Sequence, residues 1–135
     1  MIQYLTIRAP SQGLHEFTDQ AQQAVHNARV AQGLCTLFVR HTSASLVIQE
    51  NADPSAKHDL ERWLNRLVPE GDSVYTHTLE GADDMPAHIK AALTATSLSI
   101  PIDRGRLVLG QWQGIYLFEH RHRGGVREVA VHIAV

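Results

Sequence analysis

Residues 97–135 read SLSIPIDRGRLVLGQWQGIYLFEHRHRGGVREVAVHIAV, and this stretch decides the fold. Short apolar runs alternate there with glycine-bearing breaks. Residues 97–102 read as a strand. Asp103, Arg104 and Gly105 read as a turn, because glycine takes the positive φ that such a corner needs. Residues 107–109 and 114–120 read as strands around a Gly110/Gly114 interruption, which predicts a bulge or bend. Gly124-Gly125 predicts a hairpin turn. Residues 126–135 form the last strand, with Val129, Val131, Ile133 and Val135 on one face and His132 on the other.

Working outward, residues 2–8 have the two-sided apolar character of a strand. Residues 13–31 place Leu14, Phe17, Ala21, Val25 and Ala28 at helical steps. Gly33 stands where a C-terminal cap would follow. Residues 34–39 and 45–49 read as strands. Asp53 suits an N-cap and Pro54 the first helical position, and that helix runs through Leu60, Trp63, Leu64 and Leu67 to a stop at Pro69. Residues 74–76 read as a brief strand ending at His77. Pro86 opens a short helix through Ile89 and Leu93. The pattern predicts an α+β domain: a two-layer, largely antiparallel β-sandwich with about three helices.

The chain has 135 residues, 44% of them hydrophobic and 19% charged, the range of one ordinary soluble globular domain and not of a disordered chain. Twelve Lys and Arg against 14 Asp and Glu give a formal charge of −2, unlike the basic balance of a general nucleic-acid binder. No apolar run reaches transmembrane length, so no membrane partner is expected. The opening MIQYLTIR lacks the basic start and long apolar core of a signal peptide. A single cysteine, Cys35, excludes an internal disulfide, and a reducing, cytoplasmic setting fits.

Histidine stands out, with nine residues. His41, His77 and His88 each fall where an expected element meets a loop, the places from which a scaffold delivers side chains to one pocket. Three imidazoles with an open position suit a divalent metal such as zinc. The alternative is three histidines that bond loop backbone. Asp83 and Asp84 could instead carry magnesium that receives a phosphate. Lys90 lies one turn along the same helix, whose free N–H groups attract anions. Glu119 shares a strand face with Ile115 and Leu117, so it is either an acid or base with a shifted pKa or the partner of a nearby arginine such as Arg127. Glu50, Asn51 and Asp53 form a polar cluster ahead of a helix. Trp112, beside a glycine bend, could stack on a ring substrate or serve as core.

Taken together, several stretches resemble one family. His41-T-S-A-S-L-V-I-Q-Glu50-Asn51-A-Asp53-Pro54 and His77-T-L-E-G-A-Asp83-Asp84-M-P-A-His88-I-K are similar to two segments of the YjbQ-like family. Residues 97–115 resemble its signature, with Gln111 where Thr is usual, and Glu119-His120-Arg121 and Arg127 match as well. The resemblance spans nearly the whole chain and implies a single YjbQ-like domain with a jelly-roll-like sandwich that assembles as a homotrimer. It also implies a secondary thiamine-phosphate synthase activity, joining hydroxymethylpyrimidine diphosphate to thiazole phosphate with release of pyrophosphate. On that reading His41, His77 and His88 hold a divalent metal (zinc or magnesium). Glu119, Asp84 and Glu50 serve catalysis, and Lys90, Arg127, Asn51 and Trp112 bind a small phosphorylated substrate. The other readings are a metal-dependent hydrolase of a phosphorylated or ester substrate and a non-catalytic small-ligand or metal-binding trimer.

Overall fold

The computed structural model describes residues 1–135. In chain order the elements are β1 (Ile2–Glu16), α1 (Thr18–Ala28), β2 (Gly33–Val39), β3 (Ala44–Glu50), α2 (Pro54–Leu67), α3 (Asp84–Leu93), β4 (Ser97–Asp103), β5 (Arg106–Leu107) and β6 (Gln113–Ala134). The expected α+β class with three helices and an antiparallel sheet is what forms. All six strands join one curled sheet in the order β1-β6-β2-β4-β5, with β3 also paired to β6. No helix is long and apolar enough to cross a membrane.

β6 organises the molecule. Its second half pairs with β2 and its first half with β3, while β1 runs along its other edge. Its side chains alternate between two interiors. Ile115 and Leu117 enter the main core with Leu37, Leu46, Val129 and Val131, under α1 residues Ala21, Ala24 and Val25. Tyr116 and Phe118 point the other way and meet Leu14 and Leu64 beneath α2.

Gly124-Gly125 makes no hairpin turn, contrary to the sequence reading, because β6 is one strand through both glycines. A Cβ on Gly124 would overlap the Ala9 carbonyl oxygen and stand 2.6 Å from Glu119 Oε1. Glycine is there so that β1 and a buried carboxylate can approach the strand. The bend comes just before it, where β6 advances from Glu119 to Arg123 while β1 covers only Ser11 to Gly13. That bulge curls the sheet.

Four other expectations change. The helix of residues 13–31 shortens to Thr18–Ala28, and Leu14 stays in β1, in register with Phe118 of β6, its N–H held by Glu61 Oε1. Arg29, at φ 54°, closes α1, whereas Gly33 opens β2, where a Cβ would collide with the Ala134 carbonyl. Residues 74–76 are not a strand, since no strand lies beside them and Asp72 ties them into a turn through Val74 N–H and Tyr75 N–H. Residues 107–109 reduce to the two-residue β5. It is joined to β4 by Arg104 and Gly105 at φ 52° and 74°, the paired positive values of a tight hairpin. The Asp53 cap and Pro54 start of α2 form as read, with Asp53 accepting from Ser55 N–H at 2.9 Å.

Candidate functional site

A cleft of about 1080 Å³ opens between the end of β2, the following loop and α3. His41, Thr42, Ser43, Asp84, His88 and Arg127 are among its lining residues. α3 delivers two of its groups. Asp84 is its first residue and His88 lies four residues on, so both project from one face. His77 arrives from the irregular segment before α3. Asp84 Oδ2 sits 2.7 Å from His77 Nε2 and 3.0 Å from His88 Nε2. These three ligand atoms all lie within 4.8 Å of one another.

The surroundings fix this cluster. His88 Nδ1 is 3.0 Å from the Thr42 carbonyl oxygen, which can only accept, so Nδ1 carries a proton, while Asp84 Oδ2 accepts from Nε2 when that nitrogen is protonated too, the proton a metal ion would replace. Arg121 Nη1 donates to Asp84 Oδ1 at 2.8 Å, and the same guanidinium holds Asp83 and the Glu80 carbonyl. Asp83 Oδ2 in turn accepts His122 N–H at 2.9 Å. Burial works against ionisation of Asp84, yet His77, His88 and Arg121 hold its carboxyl below the usual carboxylate range. Burial likewise opposes charge on Asp83, and Arg121 and the His122 N–H outweigh it. Asp83 also pushes the Arg121 guanidinium up.

His41 does not join His77 and His88; Asp84 takes the place expected for it. Its Nε2 accepts Glu128 N–H at 2.9 Å, which commits that nitrogen to β6. Burial, aided by Arg127 at 3.5 Å from Nδ1, lowers its pKa, so His41 lines the cleft as a neutral ring.

Glu119 is fully buried, and it faces Arg127 rather than the cleft. Arg127 Nε donates to Oε1 at 2.6 Å and Nη2 to Oε2 at 2.9 Å, while Arg121 N–H reaches Oε2 at 3.2 Å. The two residues are eight apart on one strand. A straight strand would separate them by about 26 Å, so the bulge of β6 between Glu119 and Arg123 makes this pair. The paired-arginine alternative is the one that forms, and Glu119 positions Arg127 at the cleft wall. Lys90 is not in the cleft either: it points to the other side of α3, 4% exposed, and donates to Asn65 Oδ1.

Glu50, Asn51 and Trp112 gather at the far end of β3, about 20 Å along the strand from Ala44 at the cleft. Asn51 N–H donates to the Trp112 carbonyl at 3.0 Å, Glu50 Oε2 accepts Asp53 N–H at 3.0 Å, and the Trp112 side chain is 57% exposed. In one chain these residues end β3 and brace α2. Sequence reading missed Arg121 as the clamp on the cluster. It also passed over the Asp84-x-x-x-His88 spacing, the one local signal that joins two of the ligand atoms on a helix.

The family model described as "UPF0047 protein YjbQ-like" matches residues 3–135. UPF0047 protein sll1880 of Synechocystis sp. is 55% identical over 130 residues, covering 96% of this chain and 88% of that protein. UPF0047 protein YjbQ of Escherichia coli O157:H7 is 48% identical over 126 residues, covering 93% and 91%. Among solved structures, the conserved hypothetical protein TT1486 of Thermus thermophilus aligns with a TM-score of 0.85 at 36% identity, covering 97% of this chain and 98% of that one.

Proposed function

The chain belongs to the UPF0047 YjbQ-like family, and from that premise we propose a metal-assisted enzyme that couples or cleaves a small phosphorylated substrate in the cleft of His77, Asp84 and His88. The observation that carries this reading is the convergence of two imidazole Nε2 atoms and one carboxylate oxygen, within 4.8 Å of one another, beside an open cleft. Two nitrogens and one oxygen suit zinc with a position left open. Magnesium prefers an all-oxygen shell, so the donor set argues against it. Tetrahedral bonds of about 2.0–2.1 Å put donors about 3.3 Å apart. The His77–Asp84 and His88–Asp84 distances of 2.7 and 3.0 Å are therefore close to the spacing needed. When bound, zinc would supply positive charge to a developing phosphate oxyanion.

The chain's own residues supply the rest. Arg127, fixed by Glu119, presents a second fixed positive charge at the wall, and bidentate phosphate recognition is what a guanidinium does best. Thr42 and Ser43 offer hydroxyls to peripheral oxygens. Arg121 keeps Asp84 turned toward the two imidazoles.

Within this class we favour the thiamine-phosphate coupling. A thiazole nitrogen lone pair forms a C–N bond to the pyrimidine methylene carbon. The C–O bond to pyrophosphate breaks, and its electron pair leaves with pyrophosphate. The thiazole becomes a cation and no proton moves. Such a step needs charge stabilisation and positioning, not a general base, and a Glu119 wholly engaged by Arg127 is consistent with that. Hydrolysis would need an activated water.

The test uses untagged protein. About one zinc per chain is expected, lost in His88→Ala, with coupling reduced at least about 100-fold. Pyrophosphate release that requires the thiazole phosphate supports transfer, and release in water alone supports hydrolysis. Metal-free protein whose turnover ignores chelator and His88→Ala would overturn the metal reading.

A further inference from the structure

Behind the cleft, α3 turns its other side to a second cavity, of about 140 Å³, between α2 and β6. Lys90, His120 and Phe118 form its buried floor, and exposed His58, Arg62 and Asn65 its mouth. The function proposed above uses none of these side chains.

The polar atoms of the floor can be assigned from their partners. Thr94 Oγ1 lies 2.8 Å from the Lys90 carbonyl, which only accepts, so the Thr94 hydroxyl donates there. Ser45 Oγ, 2.6 Å from Thr94 Oγ1, must then donate to it. Ser45 Oγ is left to accept from His120 Nε2, 2.9 Å away. This chain places the ring proton on Nε2 and leaves Nδ1 as a bare acceptor. His120 is 1% exposed and Nδ1 has no partner. Beside it Lys90 carries three N–H donors. Its acceptor is the neutral Asn65 Oδ1, and no carboxylate pairs with it. The wall carboxylate, Glu61, is committed through Oε1 to Leu14 N–H at 2.8 Å, and Glu70 and Asp83, whose charges reach Lys90, are engaged by His122 and Arg121. A buried ammonium without a contacting counter-charge and a buried acceptor without a donor are both costly.

One ligand class satisfies both. We propose that this cavity binds a small oxyanion that retains one hydroxyl, of the hydrogen phosphate or bicarbonate kind. Its charged oxygen accepts from Lys90 Nζ, and its O–H donates to His120 Nδ1. Arg62 at the mouth adds positive charge to draw it in. The volume holds about four or five water-sized groups, which matches such an ion. Sulfate and acetate near neutral pH carry charge but no O–H, so each would set an oxygen lone pair against Nδ1 and be rejected.

The test follows the His120 ring nitrogens by NMR in the full-length, ¹⁵N-histidine-labelled protein near neutral pH. Phosphate, bicarbonate, sulfate and acetate are added separately. Phosphate or bicarbonate should shift Nδ1 saturably, the tighter of the two identifying the source, while sulfate and acetate leave it in place. Lys90→Met should weaken the response at least about tenfold, and His88→Ala, in the other cleft, should not. Equal response to sulfate, no response to any ion, or full affinity in Lys90→Met would overturn the proposal. If Lys90→Met does not fold, phosphate against sulfate on the unaltered chain decides alone.

Discussion

His120 is held neutral by its surroundings, with a consequence for stability. Burial, with Lys90 adding to it, lowers its pKa from 6.5 to about 3. Above pH 6.5 the ring is neutral in both folded and unfolded chains and contributes no pH dependence. Below that the unfolded chain takes up a proton that the folded chain refuses until about pH 3, so stability falls as pH falls through this window. The slope is about 1.4 kcal/mol per pH unit, or about 2 kcal/mol lost by pH 5. His120→Gln, whose amide can still donate to Ser45, should flatten the acid limb by that amount in urea melts at pH 7 and 5. An unchanged limb would show that His120 titrates freely in the fold. Period two puts Glu119 on the face of Ile115 and Leu117 and His120 on the opposite one, and both side chains are buried. Arg127 was among the arginines that the sequence offered to Glu119, but the bulge that brings it there was not legible, nor was the packing of α3 that brings Lys90 to His120. Neither leaves a local mark in sequence.

At the scale of elements, α3 and its preceding segment are joined to β6 chiefly through Arg121. Its guanidinium bonds Asp83, Asp84 and the Glu80 carbonyl at once. A lysine offers one point charge and cannot span the three. Arg121→Gln should therefore lower hydrogen-exchange protection of the Asp84 and Ala87 amides, which bond Gly81 and Asp83 carbonyls. The loss should be about 1–2 kcal/mol, discounted for the partly exposed position. Metal affinity should fall about 10–100-fold, and Arg121→Lys should rescue neither. Protection equal to the parent chain would mean that the segment is held by other contacts. The start of α2 was legible because Asp53 and Pro54 act on adjacent backbone. The full length of β1 was not: residues 9–16 include Pro10 and Gly13 and lack alternation, and only pairing with β6 makes them a strand.

For the whole molecule, β2 lies between β6 and β4, and Cys35 sits mid-strand against Ile133 on one side and Ile100 on the other. It is fully buried, and burial pushes its thiol up to about 11. The thiolate is the reactive species, so neither access nor ionisation favours reaction while the sheet is intact. Separating β2 from both neighbours dismantles the core that Cys35 shares with Leu37, Val131 and Ile133. Its exposure is thus tied to global unfolding rather than to fraying. Labelling by an aromatic disulfide reagent should be slowed at least about 10³-fold relative to the unfolded chain. As denaturant is added, the free energy derived from labelling should converge on that of the circular-dichroism transition. His88→Ala, at the cleft rim, should leave this protection unchanged in metal-free protein. Rapid labelling without denaturant would mean that β2 and β4 detach from β6 as a separate unit. The curled sheet would then not be the single cooperative scaffold on which both cavities are built.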